Sequence, residues 1–329
     1  MKNVKRGVLK KERRWLLPVL GFLGTSVLVL ALAMACAQPD DELALVNAFL
    51  DKDNKPPVLL TVNSIASSIV RLDFDEQVKV YGKSFSPLVA RADGKSVYVT
   101  LNSSLKGGSQ AQLTGRVQDY YGNTTGLEVN VWGYNPNLPK LVINEFTTKG
   151  TDDNPDRVEL FALTSGNLAG VALYSGIPDN YDAMYVFQDI DISVGDYVTV
   201  AFVDEDDEQD NTKANYFCTS DKLPNDNGIL VLAASPSPGA EILDVALYSK
   251  YREDAEYFGT NTLTQRAQWA RSNGTWDGPA IDSTKSTSKR SMARILNSED
   301  SNTSSDWYIA TYPRKEDGFG KANTAEEYQ

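Results

Sequence analysis

The side chains best suited to chemistry in this sequence are carboxylates. Asp204-Glu-Asp-Asp-Glu-Gln-Asp210 sets Asp204, Asp206, Glu208 and Asp210 at alternate positions, a spacing that could offer oxygens to Ca²⁺. The run lacks the midpoint glycine and the closing glutamate of an EF-hand loop, and Asn215 stands at the closing place. A solvated hairpin tip is therefore the first reading and a Ca²⁺ site the second. The chain has no histidine, which removes His-based triads, imidazole metal ligands and imidazole acid–base catalysis. No glycine-rich phosphate loop follows a strand pattern. Paired acids can hydrolyse glycosides, but the spacing here singles out no pair. No catalytic residue is expected, and no cofactor beyond the Ca²⁺ reading.

Three further groups could carry chemistry. Glu145 and Glu159 each sit inside an apolar run, and a buried glutamate would need a partner such as a backbone N–H or Arg157. Cys218, in Asn215-Tyr-Phe-Cys-Thr219, reads as a buried structural thiol because nothing near it in sequence would lower its pKa. Trp269 lies near Arg266 and Arg271, and Trp276 follows soon after. Core or loop packing is the first reading for both rings, with cation–π contact or sugar stacking as the second.

Strands must position these groups. Leu141–Phe146, Asp156–Phe161 and Asn167–Leu173 are short β-type runs. Strict alternation puts Val142 and Phe146 on one face, Ile143 and Glu145 on the other. It likewise puts Val158 and Leu160 opposite Glu159 and Phe161. Val198–Val203, Gly228–Ala233, Ile242–Tyr248 and Ile309–Tyr312 continue the series. Thr262–Ala270 reads as a short helix, Ser283–Ser291 as a mobile Ser/Thr/Lys stretch, and Pro313–Gln329 as an irregular, mostly exposed tail. Upstream, Val58–Val62, Ile69–Phe74, Val78–Tyr81, Val97–Leu101, Gln112–Val117 and Leu127–Trp132 show period-two patterning. Asp93-Gly94, Lys106-Gly107-Gly108 and Tyr121-Gly-Asn123 supply turns between them. Many short strands with turns between them give an all-β fold of two consecutive sandwiches.

The ordered pieces Val142-Ile143-Asn144-Glu145, Asp156-Arg-Val-Glu-Leu-Phe161, Asn167-Leu-Ala-Gly-Val-Ala-Leu173 and Phe187–Val200 resemble the lamin-tail domain. Ser291-Met-Ala-Arg294, Asp306-Trp307 and Gly320-Lys-Ala-Asn323 complete the pattern. That resemblance spans about Leu141 to Asn323 and implies an immunoglobulin-like sandwich used for binding or scaffolding. Ser249–Thr287 is longer than the pattern needs and is expected to hold an inserted helix or loop. Ile69–Val78 and Val117–Thr124 resemble bacterial immunoglobulin-like repeats, which implies a spacer or adhesion module.

The N-terminus concerns location. Basic residues crowd Met1–Arg14, and Trp15–Ala35 is almost wholly apolar, the plan of a secretory signal, with a retained membrane helix as the rival. Leu32-Ala33-Met34-Ala35-Cys36 resembles a bacterial lipobox, which implies lipidation of Cys36 and anchoring by several acyl chains. If Cys36 is lipidated, Cys218 has no disulfide partner, so the core must hold the fold without disulfide staples. Seven of the 32 basic and one of the 44 acidic residues precede Cys36, leaving residues 36–329 with 25 against 43 and a net charge of −18. So acidic a surface repels nucleic acid.

The expected organisation is a lipoprotein signal peptide over 1–35, a tether over 36–57, an immunoglobulin-like sandwich over 58–133 and a linker over 134–140. A lamin-tail-like domain over 141–323, with an insertion near 249–287, and a tail over 324–329 follow. The resemblances together imply an envelope lipoprotein held to a membrane through Cys36, at the outer membrane or cell surface in preference to the inner membrane. It would act as a non-catalytic binding or adhesion module for a protein or glycan. A periplasm-facing scaffold is the alternative, and a carboxylate-based hydrolase the second alternative.

Overall fold

The computed structural model describes residues 53–151, 154–203, 214–219, 223–251, 258–295, 300–311, 318–323 and 328. The candidate residues Cys36, Asp204, Asp206, Glu208 and Asp210 lie outside them, as does the apolar run Trp15–Ala35. Among the described residues no helix is long and apolar enough to cross a membrane. Residues Pro56–Gln329 form one compact unit, and it is all-β, built from two sandwiches with separate cores.

The first sandwich packs a sheet of β1 (Leu59–Ala66), β2 (Ile69–Phe74), β4 (Val89–Asp93) and β5 (Ser96–Thr100), ordered β1-β2-β5-β4. Against it lies a sheet of β3 (Lys79–Val80), β6 (Gln110–Gln118) and β7 (Thr124–Trp132), ordered β3-β6-β7. Alternation drives this arrangement. In β2, Val70, Leu72 and Phe74 are buried while the residues between them are only partly so. They meet Val97, Val99, Leu113, Val117 and Val131 in one core. Full burial of each such side chain contributes about 1.5–3 kcal/mol. Phe85 lies over β6, where a Cβ on Gly115 would stand 2.3 Å from its ring, so only glycine admits the close approach. The Asp93-Gly94 turn joins β4 to β5; β4 itself has too little alternating hydrophobicity to be read from sequence.

The second sandwich has a six-stranded sheet. Its strands are β8 (Leu141–Thr147), β9 (Asp156–Ala162), β14 (Tyr197–Phe202), β15 (Tyr216–Cys218), β19 (Met292–Arg294) and β20 (Trp307–Ile309), in the order β15-β14-β9-β8-β19-β20. The facing sheet comprises β11 (Ala172–Ile177), β12 (Asn180–Val186), β16 (Asn227–Ala233), β17 (Ile242–Ser249) and β18 (Ile281–Asp282), ordered β12-β11-β16-β17-β18. A small pair, β10 (Gly166–Asn167) and β13 (Asp191–Ile192), closes one end. Asn167–Leu173 is thus not one strand: Gly170, at φ +85°, turns the chain between β10 and β11. Cys218 is buried and free of any disulfide.

The segment 249–287 contains a helix, α1 (Asn261–Ser272). The Thr260 hydroxyl caps it by accepting from Leu263 N–H. Ala267 and Ala270 are buried in the core cluster, and Arg266 reaches Asp182 on β12 at 2.6 and 2.8 Å and Asn180 at 2.9 Å. Trp276 is buried with its Nε1–H donated to the Pro279 carbonyl, and Trp269 is partly buried against the core.

Three expectations need correction. A β-bulge between Ile143 and Glu145 breaks the alternation of β8, so Ile143 and Phe146 both enter the core while Glu145 pairs across to Glu159. Ser283–Ser291 is pinned: Ser283, Ser286 and Ser291 are buried, and Ser283 Oγ donates to the Asp226 carbonyl at 2.5 Å. The last strand falls at Trp307–Ile309, before the expected Ile309–Tyr312. Among the described residues of the tail, Asn323 is the buried one, held against β8 and β19. At Ser283–Ser291 and Asn323, hydrogen bonds from distant residues outweigh the local polarity of the segment.

Candidate functional site

The motif residues of the second sandwich converge on β8. Arg294, at the end of β19, donates from Nε to the Ile143 carbonyl (2.9 Å), from Nη2 to Asp244 (2.7 Å) and from Nη1 to Asp300 (3.0 Å). Its guanidinium stands 4.7 Å from the Trp307 ring centre, and Asp306 is 3.6 Å away. Trp307 meets Phe146 edge-on at 5.4 Å. Asp244, wholly buried in β17, also accepts from Ile143 N–H (2.6 Å) and Val245 N–H (2.7 Å). Burial pushes the Asp244 carboxyl up to about 7, against the pull of Arg294 and the two amides. Burial also opposes the Arg294 charge, but Asp244, Asp300 and Asp306 outweigh it and raise its pKa.

A second cluster lies one strand across. Glu145 and Glu159 are register partners on β8 and β9, 2% and 0% exposed. Ser291 Oγ donates to Glu145, and Asn144 Nδ2 donates to Glu159 at 2.8 Å. Gly320 N–H donates to the other Glu159 oxygen. Asn323 Nδ2 donates to the carbonyls of Arg294 (2.8 Å) and Asn144 (3.1 Å). Burial is the main force pushing Glu159 up to about 8; the Glu145 charge adds to it, while Gly320, Asn144 and Arg157 oppose it. At neutral pH Glu159 is therefore mostly protonated. The partner expected for a buried glutamate is thus an amide and a backbone N–H more than Arg157, whose guanidinium stacks on Phe319 at 4.0 Å. Asn144, Glu145, Glu159, Ser291, Arg294, Asp306, Trp307, Gly320 and Asn323, from five separate stretches of sequence, thus form adjoining and mostly buried networks. Most of their polar atoms are engaged in hydrogen bonds between strands, though the Trp307 Nε1–H finds no acceptor among the described residues.

Sequence reasoning missed Asp244 and Asp300. Asp244 gave a signal, as an acid in the apolar strand Ile242-Leu-Asp-Val-Ala-Leu-Tyr-Ser249.

Where the sandwiches meet, the contacts are polar and closely fitted. Val62 N–H on β1 donates to the Pro238 carbonyl at 3.0 Å. Gly239 sits at φ +67°, and a Cβ there would lie 2.6 Å from Thr61 Cγ2 and 2.8 Å from the Leu60 carbonyl. Asn135 Nδ2 donates to the Asn167 and Ala169 carbonyls, and Lys106 pairs with Asp189 at 3.1 Å. The cleft here, about 270 Å³, is lined by Tyr134, Asn135, Asn167, Asp189 and Asp191. Asn167 Nδ2 already bridges Asp189 and Asp191 at 2.8 Å each.

Among the described residues, the most exposed aromatic side chains belong to the β6–β7 turn. Tyr120 is 88% and Tyr121 49% exposed, their rings edge-on at 5.5 Å. Buried Asp119 holds the turn by accepting from Gly122 N–H (2.6 Å), Asn123 N–H (2.8 Å) and Asn123 Nδ2 (2.6 Å). Burial works against its charge, but these donors outweigh it and its pKa falls.

Residues 139–309, more than half of the chain, match a family model described as protein second domain. No curated protein and no solved structure matches the chain.

Proposed function

The chain belongs, through residues 139–309, to the family described as protein second domain, and from that premise we propose that it is a lipid-anchored envelope protein working as a non-catalytic binding or adhesion module. The description suits a sandwich that follows another. In this reading Cys36 carries the lipid, residues 36–57 act as the tether, and the two sandwiches are the immunoglobulin-like spacer and lamin-tail-like module that the sequence motifs suggest. The observation that carries the proposal is the engagement of the motif acids and Arg294 in buried contacts, while a braced pair of tyrosines stands in solvent. Rigid, exposed aromatics give contact area at low entropic cost, which suits recognition of a protein or glycan. The net charge of −18 over residues 36–329 argues against nucleic acid as the partner.

Protease shaving of intact cells, blotted for the second sandwich beside a periplasmic control, tests the location. Loss of the signal is the expected result. Full protection until the outer membrane is opened would replace adhesion with a periplasmic scaffolding role. Labelled palmitate should enter the wild-type chain and not Cys36→Ser; labelling of both would remove the anchor from the proposal.

A further inference from the structure

We propose that the outer face of the β3-β6-β7 sheet holds a groove for a carboxylate-bearing glycan, a uronic-acid chain, seated over Gly126 with its carboxylate on Arg116. Such a site rests on the binding-module reading and gives it a place and a ligand class. Gly126 is unexplained by the fold. It lies inside β7, opposite Arg116 of β6. Its φ is outside the left-handed region, and a Cβ added there would meet no atom within 4 Å. Gly115, its neighbour on β6, differs, because Phe85 fills the space a side chain would need. Glycine weakens a strand interior, and one that neither backbone nor packing requires marks the close approach of another molecule.

The groove, about 500 Å³, is lined by Ser84, Thr114, Arg116, Gly126 and Glu128, a size within the roughly 300–1,000 Å³ of small-molecule sites. Its frame is fixed. Ser84 Oγ accepts from Arg116 N–H (3.0 Å) and donates to the Arg116 carbonyl (2.8 Å), which also accepts from Tyr81 N–H (3.0 Å). Among the described residues the Arg116 guanidinium has no acidic partner; it stands 5.8 Å from the ring centre of Tyr81, itself 45% exposed. Lys83, in the turn from Tyr81 to Ser84, is likewise unpaired among them, and Lys79 stands on β3 beside Gln118. In a chain with net charge −18 over residues 36–329, this face sets three cations against Glu128. The other acids nearby, Asp53 and Glu76, gather on Asp119 at the turn. A guanidinium fork matches a carboxylate, and the Tyr81 ring suits the apolar face of a sugar. The Thr114 hydroxyl and Glu128, which accepts from Gln112 Nε2 through one oxygen, are placed for sugar hydroxyls. A densely sulfated chain would crowd further anions against Glu128.

Titration calorimetry of the full chain in non-ionic detergent tests the groove, with polygalacturonate and hyaluronan oligosaccharides as probes and dextran and heparin as controls. A uronate chain should bind, heparin more weakly and dextran not at all. Gly126→Thr should lower the uronate affinity about tenfold or more with a Tm no lower than wild type, since the new side chain enters open space on a strand. Arg116→Gln should lower it by a similar factor. Absence of uronate binding in the wild type, tighter binding of heparin, or full affinity in either variant overturns the proposal. So does a Gly126→Thr chain that fails to fold, because the glycine would then be structural. A loss confined to Tyr120→Ala with Tyr121→Ala overturns the groove and keeps glycan binding at the tyrosine turn. The binding-module reading itself falls by the shaving result, so the two failures are told apart.

Discussion

The two sandwiches solve the same packing problem by different means. In the first, Asp119 is the one buried charged residue among those described, and it serves a local turn; the rest of the core is aliphatic and aromatic. The second buries Arg157, Arg266 and Arg294 with Glu145, Glu159 and Asp244. The difference follows topology. Each main sheet partner in the first sandwich is near in sequence, as in the β4–β5 and β6–β7 hairpins. In the second, β8 pairs with β19, more than a hundred residues later, and polar contacts fix which distant strand arrives and in what register. Apolar contacts are non-directional and would tolerate a slip, whereas a guanidinium with three fixed acceptors would not.

This contrast is breakable. Arg294→Ala leaves Asp244 buried without its cation and should cost the second sandwich about 3–5 kcal/mol. Native-state hydrogen exchange should show that loss in β16 and not in β2. An equal loss in both would mean that the sandwiches unfold as one cooperative unit. Gly239→Val drives a branched side chain into Thr61 at a positive φ and should cost about 1–3 kcal/mol. Its effect should surface as increased exchange at Val62 N–H, the joint amide; no change there would show the loop to be dispensable. Asp119→Ala removes the acceptor of the β6–β7 turn and should cost about 1–2 kcal/mol, confined to the first sandwich in urea unfolding.

Much of this was legible beforehand. The period-two runs located β2, β5, β6 and β7 to within a few residues, because half-buried strands must alternate. The edge strands β4 and β12 escaped, since their exposed residues carry little pattern. Alternation also misassigned Val142, Ile143 and Phe146, because a bulge resets the period and leaves no mark in composition. The Ser/Thr/Lys stretch 283–291 looked mobile because its polarity is visible and its partners, far away in sequence, are not.

By itself, the sequence determined the all-β class, the division into two sandwiches, the short helix near Thr262–Ala270 and the absence of imidazole chemistry, since these follow from residue periodicity and residue type. Only the tertiary structure decided that Asn144, Glu159, Ser291, Arg294, Gly320 and Asn323 belong together, and that the loop around Gly239 closes on β1. The physical reason is that hydrogen bonds and charge pairs act over a few ångströms of space. Which groups come within that range is set by sheet register and bulges, and neither is written in any local stretch of the chain.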